Sequence, residues 1–400
     1  MRHLPKLLAA AALSAALLAQ AQDSVRPEVG KPLQAAAELI RAQKYKDALA
    51  KVREADAAGA RNANETFMIE RMRIAAASGA GDVETAAKSF EVVGPKVSAA
   101  ERVKMIESLT GAYYRAGQYA KAQQWGQRYF KEGGTSPQIR TLLIQSQYLS
   151  GDFAGAMREL RTEIEEAERA GQAPAEDRLK LLVNAALKQN DTNTYVWALE
   201  RLVTYYPKKE YWVDLLSRLQ RKPNFSDRLA LDTYRLSLAT GSMTAANDYM
   251  EMAQLAVQAG YPAEARQVLD KGFEAKVLGQ GAEAERQKRL LDLVAKKVQE
   301  SKAGRDAQLA EAGDAKDGTA LVNAGLALVF DGDKARGLKV MQEGVAKGNF
   351  KRADDVKLHF GIGQLLAGDS GKAQATLKSV GGTDGTAELA RLWALYAKRR

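Results

Sequence analysis

The sequence contains no cysteine, which excludes disulfides, thiolate metal sites and cysteine nucleophiles. It also leaves nothing to carry a lipid-attachment anchor. Histidine is almost as scarce: His3 sits in the first few residues, and His359 stands alone in the rest of the chain. A single histidine without cysteine cannot build the four-ligand set of a structural zinc site, so neither metal nor cofactor is expected. His359, beside Phe360, reads as a surface or internally satisfied residue. Phosphate-binding glycine motifs are missing too. The stretch "GIGQLLAGDSGKA" (Gly361 to Ala373) fits neither the phosphate-loop nor the dinucleotide spacing, and "DGDKARG" (Asp331 to Gly337) lacks the spacing of a calcium loop. No pair of carboxylates stands out as an acid–base couple, and Glu163, Glu165 and Glu166 read as a solvated helix face. No catalytic residue is nominated, and the sequence argues against an enzyme.

Proline is limited to nine residues, and Pro137, Pro174, Pro207 and Pro223 fall between periodic segments. No strand-like alternation of useful length occurs. The longest apolar run is "LLAAAALSAALLA" (Leu7 to Ala19), shorter than the roughly 20 residues a membrane-spanning helix needs. It follows the basic "MRHLPK" and ends in "AQA", the layout of a cleaved export signal over residues 1–21. The mature chain is therefore expected to be soluble and periplasmic, with no membrane insertion and little nucleic acid to meet. The formal charge is +10, and without Arg2 and Lys6 57 basic residues still exceed 49 acidic ones. These charges alternate in sign along helical faces, as in "RELRTEIEEAER" (Arg158 to Arg169), which reads as solvation more than as a polyanion site.

What the chain does have is a beat. "AYYRAGQYAKA" (Ala112 to Ala122) returns as "SQYLSGDFAGA" (Ser146 to Ala156), with Gly117 and Gly151, Tyr119 and Phe153, and Ala122 and Ala156 each 34 residues apart. Degraded copies lie at "RAQKYKDALA", "GAGDVETAAKSF", "LKQNDTNTY", "VQAGYPAEARQVL", "VFDGDKARGLKVM" and "LLAGDSGKAQATL". A 34-residue helix–turn–helix period is that of the tetratricopeptide repeat. The glycine closes the first helix in a left-handed conformation, a slot that Asn190 fills once. The following small residue (Ala48, Ala86, Ala122, Ala156, Ala265, Gly337, Ala373) lets the second helix approach. Apolar residues four further on (Val52, Phe90, Leu160, Leu269, Met341, Leu377) continue a buried stripe. The expected fold is all-α, a right-handed superhelical solenoid of helix–turn–helix repeats with a C-terminal capping helix.

The aromatic-rich "LVTYYPKKEYW" (Leu202 to Trp212) reads mainly as helix seam, with Pro207 at a helix end and Lys208, Lys209 and Glu210 solvated. Along the chain we expect a flexible lead-in over 22–32, repeats over 33–275 with an irregular loop at Gln220 to Asp227, a charged helix and hinge over 276–318, and further repeats with the capping helix over 319–400. Thr386 is expected to cap that last helix, and Lys398, Arg399 and Arg400 to suit its negative end.

A solenoid offers a concave surface lined by the first helix of each unit. The register places Lys104, Glu107, Tyr114 and Arg115 there in one repeat, Gln138, Thr141, Gln145 and Tyr148 in the next, and Gln254 and Gln258 in a later one. Amide, cation and tyrosine together suit an extended peptide or a partner's surface. "ERLVTYYPKKEYWVDLLSRL" (Glu200 to Leu219) and "DDVKLHFGIGQLLAGDSGKAQATLKSVGGTDGTAELARLWAL" (Asp354 to Leu395) resemble exported tetratricopeptide-repeat proteins of Gram-negative bacteria. Some of these accompany TonB–ExbB–ExbD energy-transduction systems that drive nutrient uptake. The resemblance covers most of the chain and implies a periplasmic scaffold contacting TonB-complex components; no partner-site residue carries over from it. An adaptor in cell-envelope assembly, for outer-membrane protein insertion or peptidoglycan synthesis, is the alternative, and a binder of anionic polymer a further one.

Overall fold

The computed structural model describes residues 25–399, so the export signal expected over 1–21 lies outside the described residues. These fold into 21 α-helices with three short 3-10 turns and no strand. No helix among them is long and apolar enough to cross a membrane. The described residues divide into two compact units, one holding 25–172 with 184–191, the other 173–183 with 192–399.

The first unit contains four helix pairs: α1 (Pro27–Arg41) with α2 (Tyr45–Asp56), α3 (Ala63–Ala80) with α4 (Val83–Val93), α5 (Ala99–Arg115) with α6 (Tyr119–Lys131), and α7 (Pro137–Ser150) with α8 (Phe153–Arg169). Pairs also pack on one another through consecutive helices, and first helices lie side by side, α1 with α3 and α5 with α7. Gly117 and Gly151 sit at φ of 71° and 86° in the turns, and Asn190 and Gln43 adopt the same hand at 55° and 59°. Ala48, Ala86, Ala122 and Ala156 are fully buried, as are Val52, Phe90 and Leu160. The repeat beat is thus a packing beat.

The lead-in expected over 22–32 is helical from Pro27. Pro32 lies early in α1, where its missing N–H removes one hydrogen bond near the start of the helix. Val29 and Leu33 are buried against Ile69 and Val52 in one cluster. The Glu65 carboxylate fixes this helix. It accepts from Arg26 N at 3.1 Å, Nε at 2.9 Å and Nη2 at 3.0 Å, and from Asn62 N at 3.1 Å in a capping box. The Arg26 side chain, with its backbone N–H, holds the Glu65 carboxyl down at about 2. A depressed carboxyl pKa contributes stability above its unfolded value, about 4.3, and loses it as pH falls through the folded one. Amide exchange in α1, corrected for intrinsic rates, should therefore accelerate between about pH 4.3 and 2. In Glu65→Ala it should already be fast at neutral pH, and slow exchange there would remove this role for Glu65.

The second unit takes the start of α9 (Glu176–Lys188), then α10 (Thr192–Tyr205), α11 (Lys209–Gln220), α12 (Ala230–Thr240), α13 (Ala246–Gln258), α14 (Pro262–Glu274), α15 (Ala284–Ala303), α16 (Arg305–Asp314), α17 (Thr319–Phe330), α18 (Lys334–Lys347), α19 (Ala353–Ala367), α20 (Ser370–Lys378) and α21 (Thr386–Ala397). In its opening stretch Trp212 is buried. Tyr206 donates to the Pro174 carbonyl at 2.8 Å, Tyr211 donates to Glu176, and Lys208 pairs with Glu176 at 2.6 Å. These aromatics are seam, and Lys208 serves the seam as well.

The hinge expected within 276–318 does not separate the flanking repeats. Its second half is helix α16, and α14 packs directly on α17. Tyr261 and Phe330 meet edge-on at 5.8 Å, and Val268, Leu269, Val322 and Leu326 share one core. The division of the chain falls earlier, at residues 172–191. There the small slot five places after Asn190 holds Tyr195 instead, which hydrogen-bonds Asp214 beneath the Arg218 guanidinium, 3.6 Å from its ring.

Helices α17 and α18 approach more closely than alanine would allow. A Cβ on Gly325 would lie 2.6 Å from the Gly337 carbonyl oxygen, and one on Gly337 2.7 Å from that of Gly325. Two turns away, one on Gly344 would lie 2.7 Å from the Gly318 oxygen.

Helix α21 covers the neighbouring α19 and α20 as a cap should, and it also packs on α10 and α12, which precede it by about 190 and 160 residues. The irregular 220–227 loop holds it: Ser226 N donates to the Asp384 carbonyl at 3.0 Å and Asn224 to that of Thr383. Arg228 pairs with Asp384 and Asp355, each at 2.8 Å. Gly385, not Thr386, occupies the capping position. Thr386 is buried; its hydroxyl donates to Asp384 at 2.6 Å and accepts from Arg228 at 2.9 Å. Lys398 and Arg399 follow the helix without belonging to its last turn.

Candidate partner-binding surfaces

In the first unit the adjacent first helices α5 and α7 carry eight of the ten sequence-nominated residues. Lys104 and Gln138, Glu107 and Thr141, and Tyr114 and Tyr148 are each 34 positions apart and so occupy equivalent places in consecutive repeats. Lys104, Arg115 and Gln138 are exposed; Glu107, Thr141, Gln145, Tyr114 and Tyr148 are half-buried. Lys104, Glu107 and Arg115 follow one stripe of α5 at helical spacing. Arg115 leans over Gly111, where an added Cβ would meet its Nη1 at 3.2 Å. Neither Lys104 nor Arg115 makes an ion pair among the described residues. Both charges are therefore available to an acidic partner.

The two tyrosines serve the seam first. Tyr114 meets Tyr119 edge-on at 5.5 Å, and Tyr148 meets Phe153 edge-on at 5.2 Å. Burial, then the neighbouring Tyr119, raises the Tyr114 phenol above its ordinary value. Gln138 accepts a hydrogen bond from Ser136 at 2.9 Å. Gln254 and Gln258 are exposed on α13 in the other unit.

In the second unit the most concentrated polar chemistry is buried. Arg235 on α12 donates to Asp232 at 2.7 Å and to both oxygens of Glu264 on α14 at 2.6 Å. His359 on α19 lies between Asp232 Oδ2 at 3.1 Å and Asn323 Oδ1 at 3.3 Å. Trp393 on α21 donates its indole N–H to the Asp232 carbonyl at 3.2 Å. Arg235 also lies over the Tyr261 ring at 4.8 Å and the Phe330 ring at 5.2 Å. Burial alone would raise the Asp232 carboxyl, but His359 and Arg235 outweigh it and hold it below its ordinary value. Burial wins for Glu264, whose carboxyl is pushed up despite Arg235. Each charge is consumed by a partner within the cluster. The cluster clamps five helices together, α12, α14, α17, α19 and α21. No His/Cys/Asp/Glu group among the described residues could hold a metal ion.

Residue-level reading of the sequence missed this cluster, although one signal was present. Glu264 directly precedes Ala265, the small seam residue, so the register itself placed a carboxylate against a buried position. His359 is satisfied, as its isolation suggested. Two cavities flank these elements: one of about 380 Å³ beside Arg235, walled by Met252, Phe330, Leu365, Trp393 and Tyr396, and one of about 300 Å³ where α21 meets α10 and α11.

The described chain is an all-α protein built from tetratricopeptide-type helix pairs. No protein-family model matches the sequence, and no curated protein matches it. Among solved structures it is similar to yeast Tom70, with 11% identity over 93% of this chain and 96% of that one and a TM-score of 0.25. A tetratricopeptide repeat protein from Parabacteroides merdae is 14% identical over 72% of this chain and 98% of that one, with a TM-score of 0.24. The pentatricopeptide repeat protein PPR10 from maize is 13% identical over 97% of this chain and 64% of that one, with a TM-score of 0.30.

Proposed function

We propose that this protein is a non-catalytic scaffold that gathers protein partners in the periplasm, as an accessory of a TonB-type energy-transduction system. The observation that supports a scaffold is the paired stripe on α5 and α7. Two exposed cations without ion-pair partners on α5 and exposed or half-buried amides on α7 occupy first-helix positions of consecutive repeats, on helices that can present them to an extended peptide. Asp232, Arg235, Glu264 and His359 of the second unit are engaged with one another, which favours a structural over a catalytic role for them. The export-type segment at 1–21 supports the periplasmic setting, and the resemblance of Glu200 to Leu219 and Asp354 to Leu395 supports the TonB setting.

Charge reversal tests the stripe. Lys104→Glu with Arg115→Glu should weaken capture of periplasmic partners by at least about tenfold, since each reversal replaces attraction with repulsion. Circular dichroism should be unchanged because both side chains are exposed. Unaltered capture would remove the stripe as the binding surface. Partners identified by crosslinking in intact cells should include energy-transduction components, and their consistent absence would remove the TonB setting.

A further inference from the structure

The cavity of about 300 Å³ between α10, α11 and α21 differs from the clamp because its charges are not all spent. Its apolar wall is formed by Val196, Leu215, Leu219 and Leu392, and four cations border it: Arg218, Arg221, Lys222 and Arg391. Only two carboxylates line it, Glu200 and Glu388. Arg391 pairs with Glu200 at 2.7 Å, Lys222 with Glu388 at 2.8 Å, and Arg218 with Asp214 at 3.0 Å. Arg221 is exposed and makes no ion pair among the described residues. The cleft is therefore apolar at its base and cationic at its edge. Its volume is at the lower end of the roughly 300–1,000 Å³ typical of ligand sites.

We propose that this cleft receives an acidic peptide segment of a protein partner, with one large apolar side chain seated on Val196, Leu215, Leu219 and Leu392 and flanking carboxylates meeting Arg221 and its neighbours. The charge surplus selects an anionic ligand, and the apolar wall selects one with a hydrophobic body. A peptide is favoured over a fatty acid because the cationic border is spread over four side chains, Arg218, Arg221, Lys222 and Arg391, and several carboxylates along a chain match it better than one terminal carboxylate. The proposal deepens the scaffold reading and rests on it, adding a second contact chemistry in the other unit.

The test is fluorescence anisotropy with the full chain and a labelled, end-capped Glu-Asp-Phe-Asp-Glu probe. Saturable binding is expected, weakened by added salt. Arg221→Glu should weaken it by at least about fivefold. Val196→Gln, or serine in place of the probe's phenylalanine, should weaken it about tenfold. Arg221 is exposed and unpaired, so its variant should fold normally, which far-ultraviolet circular dichroism can verify. No binding at about 1 mM protein, equal binding of a Lys-Lys-Phe-Lys-Lys probe, or indifference to both variants would overturn the proposal. So would binding of decanoate in place of the peptide. If the probe fails while partner capture still responds to Lys104→Glu with Arg115→Glu, the cleft assignment falls and the scaffold reading stands. If wild-type protein captures no partner, the scaffold reading falls and takes the cleft's partner with it.

Discussion

Replacing Arg235 with methionine is expected to destabilise the second unit by about 3–5 kcal/mol, the range for breaking a buried ion pair from one side. Arg235 is only 5% exposed and is the common partner of Asp232 and Glu264, which are equally buried. Its loss leaves two carboxylates in a low-dielectric site facing only His359. The pH dependence gives the result its signature. Without Arg235 the already raised Glu264 carboxyl rises further, and a group whose folded pKa is raised contributes stability fully present below its unfolded value, about 4.3. The deficit should therefore be largest near neutral pH and shrink on acidification toward that value. Replacing Asp232, Arg235 and Glu264 together with apolar residues of similar volume should restore much of the stability, because no buried charge then remains unpaired. Denaturant unfolding across pH measures this; a deficit that is small, or that grows as pH falls, would contradict the clamp.

The second large effect concerns the glycine seam of α17 and α18. Gly325→Val should cost about 1–3 kcal/mol or more and speed amide exchange in both helices. Besides the Met341 Cγ at 2.5 Å, the obstruction at Gly325 is backbone, the Gly337 carbonyl oxygen at 2.6 Å and Met341 N at 2.7 Å, so a side-chain rotation alone cannot relieve it. Gly313 on α16 supplies the control, because a Cβ there meets nothing within 4 Å. Gly313→Ala should be neutral or stabilise by up to about 1 kcal/mol through helix propensity. Equal effects at the two glycines would mean that close approach is not what Gly325 provides.

The contrast between these two positions shows what the amino-acid pattern could convey. Local periodicity made the helix pairs legible: the glycine turns, the buried alanines (Ala48, Ala86, Ala122 and Ala156, at intervals of 34 to 38 residues) and the apolar residues four positions on lie where helix pairs need them. Gly337 was legible as a small contact, but its reciprocal partner Gly325 was not, because the pairing lies across the seam and not at the repeat interval. The same limit explains the clamp. Asp232, Arg235, Glu264 and His359 come from three helices spread over 128 positions, and no short-range spacing joins them. The break expected at 276–318 followed composition, a run of Gly, Asp and Lys. Packing placed α14 against α17 across that run, because their apolar faces had more to bury together than apart. The lead-in expected over 22–32 fell short in a similar way: proline is tolerated near a helix start, and Val29 is buried with Leu33. For the partner surface, the exposed positions of Lys104, Arg115 and Gln138 followed from helical register. That Tyr114 and Tyr148 would spend one face on Tyr119 and Phe153 could have been read from their five-residue spacing across the turn.

A partner is expected to meet the first-helix stripe of the early repeats. A photo-reactive residue in place of Gln138 on α7, compared in intact cells with one in place of the exposed Arg158 on the second helix α8, tests it most directly. Crosslinks to a periplasmic protein from position 138, absent from position 158 and lost with Lys104→Glu and Arg115→Glu, are the expected result. Crosslinks from position 158 alone would place the partner on the other helix of the pair and contradict it.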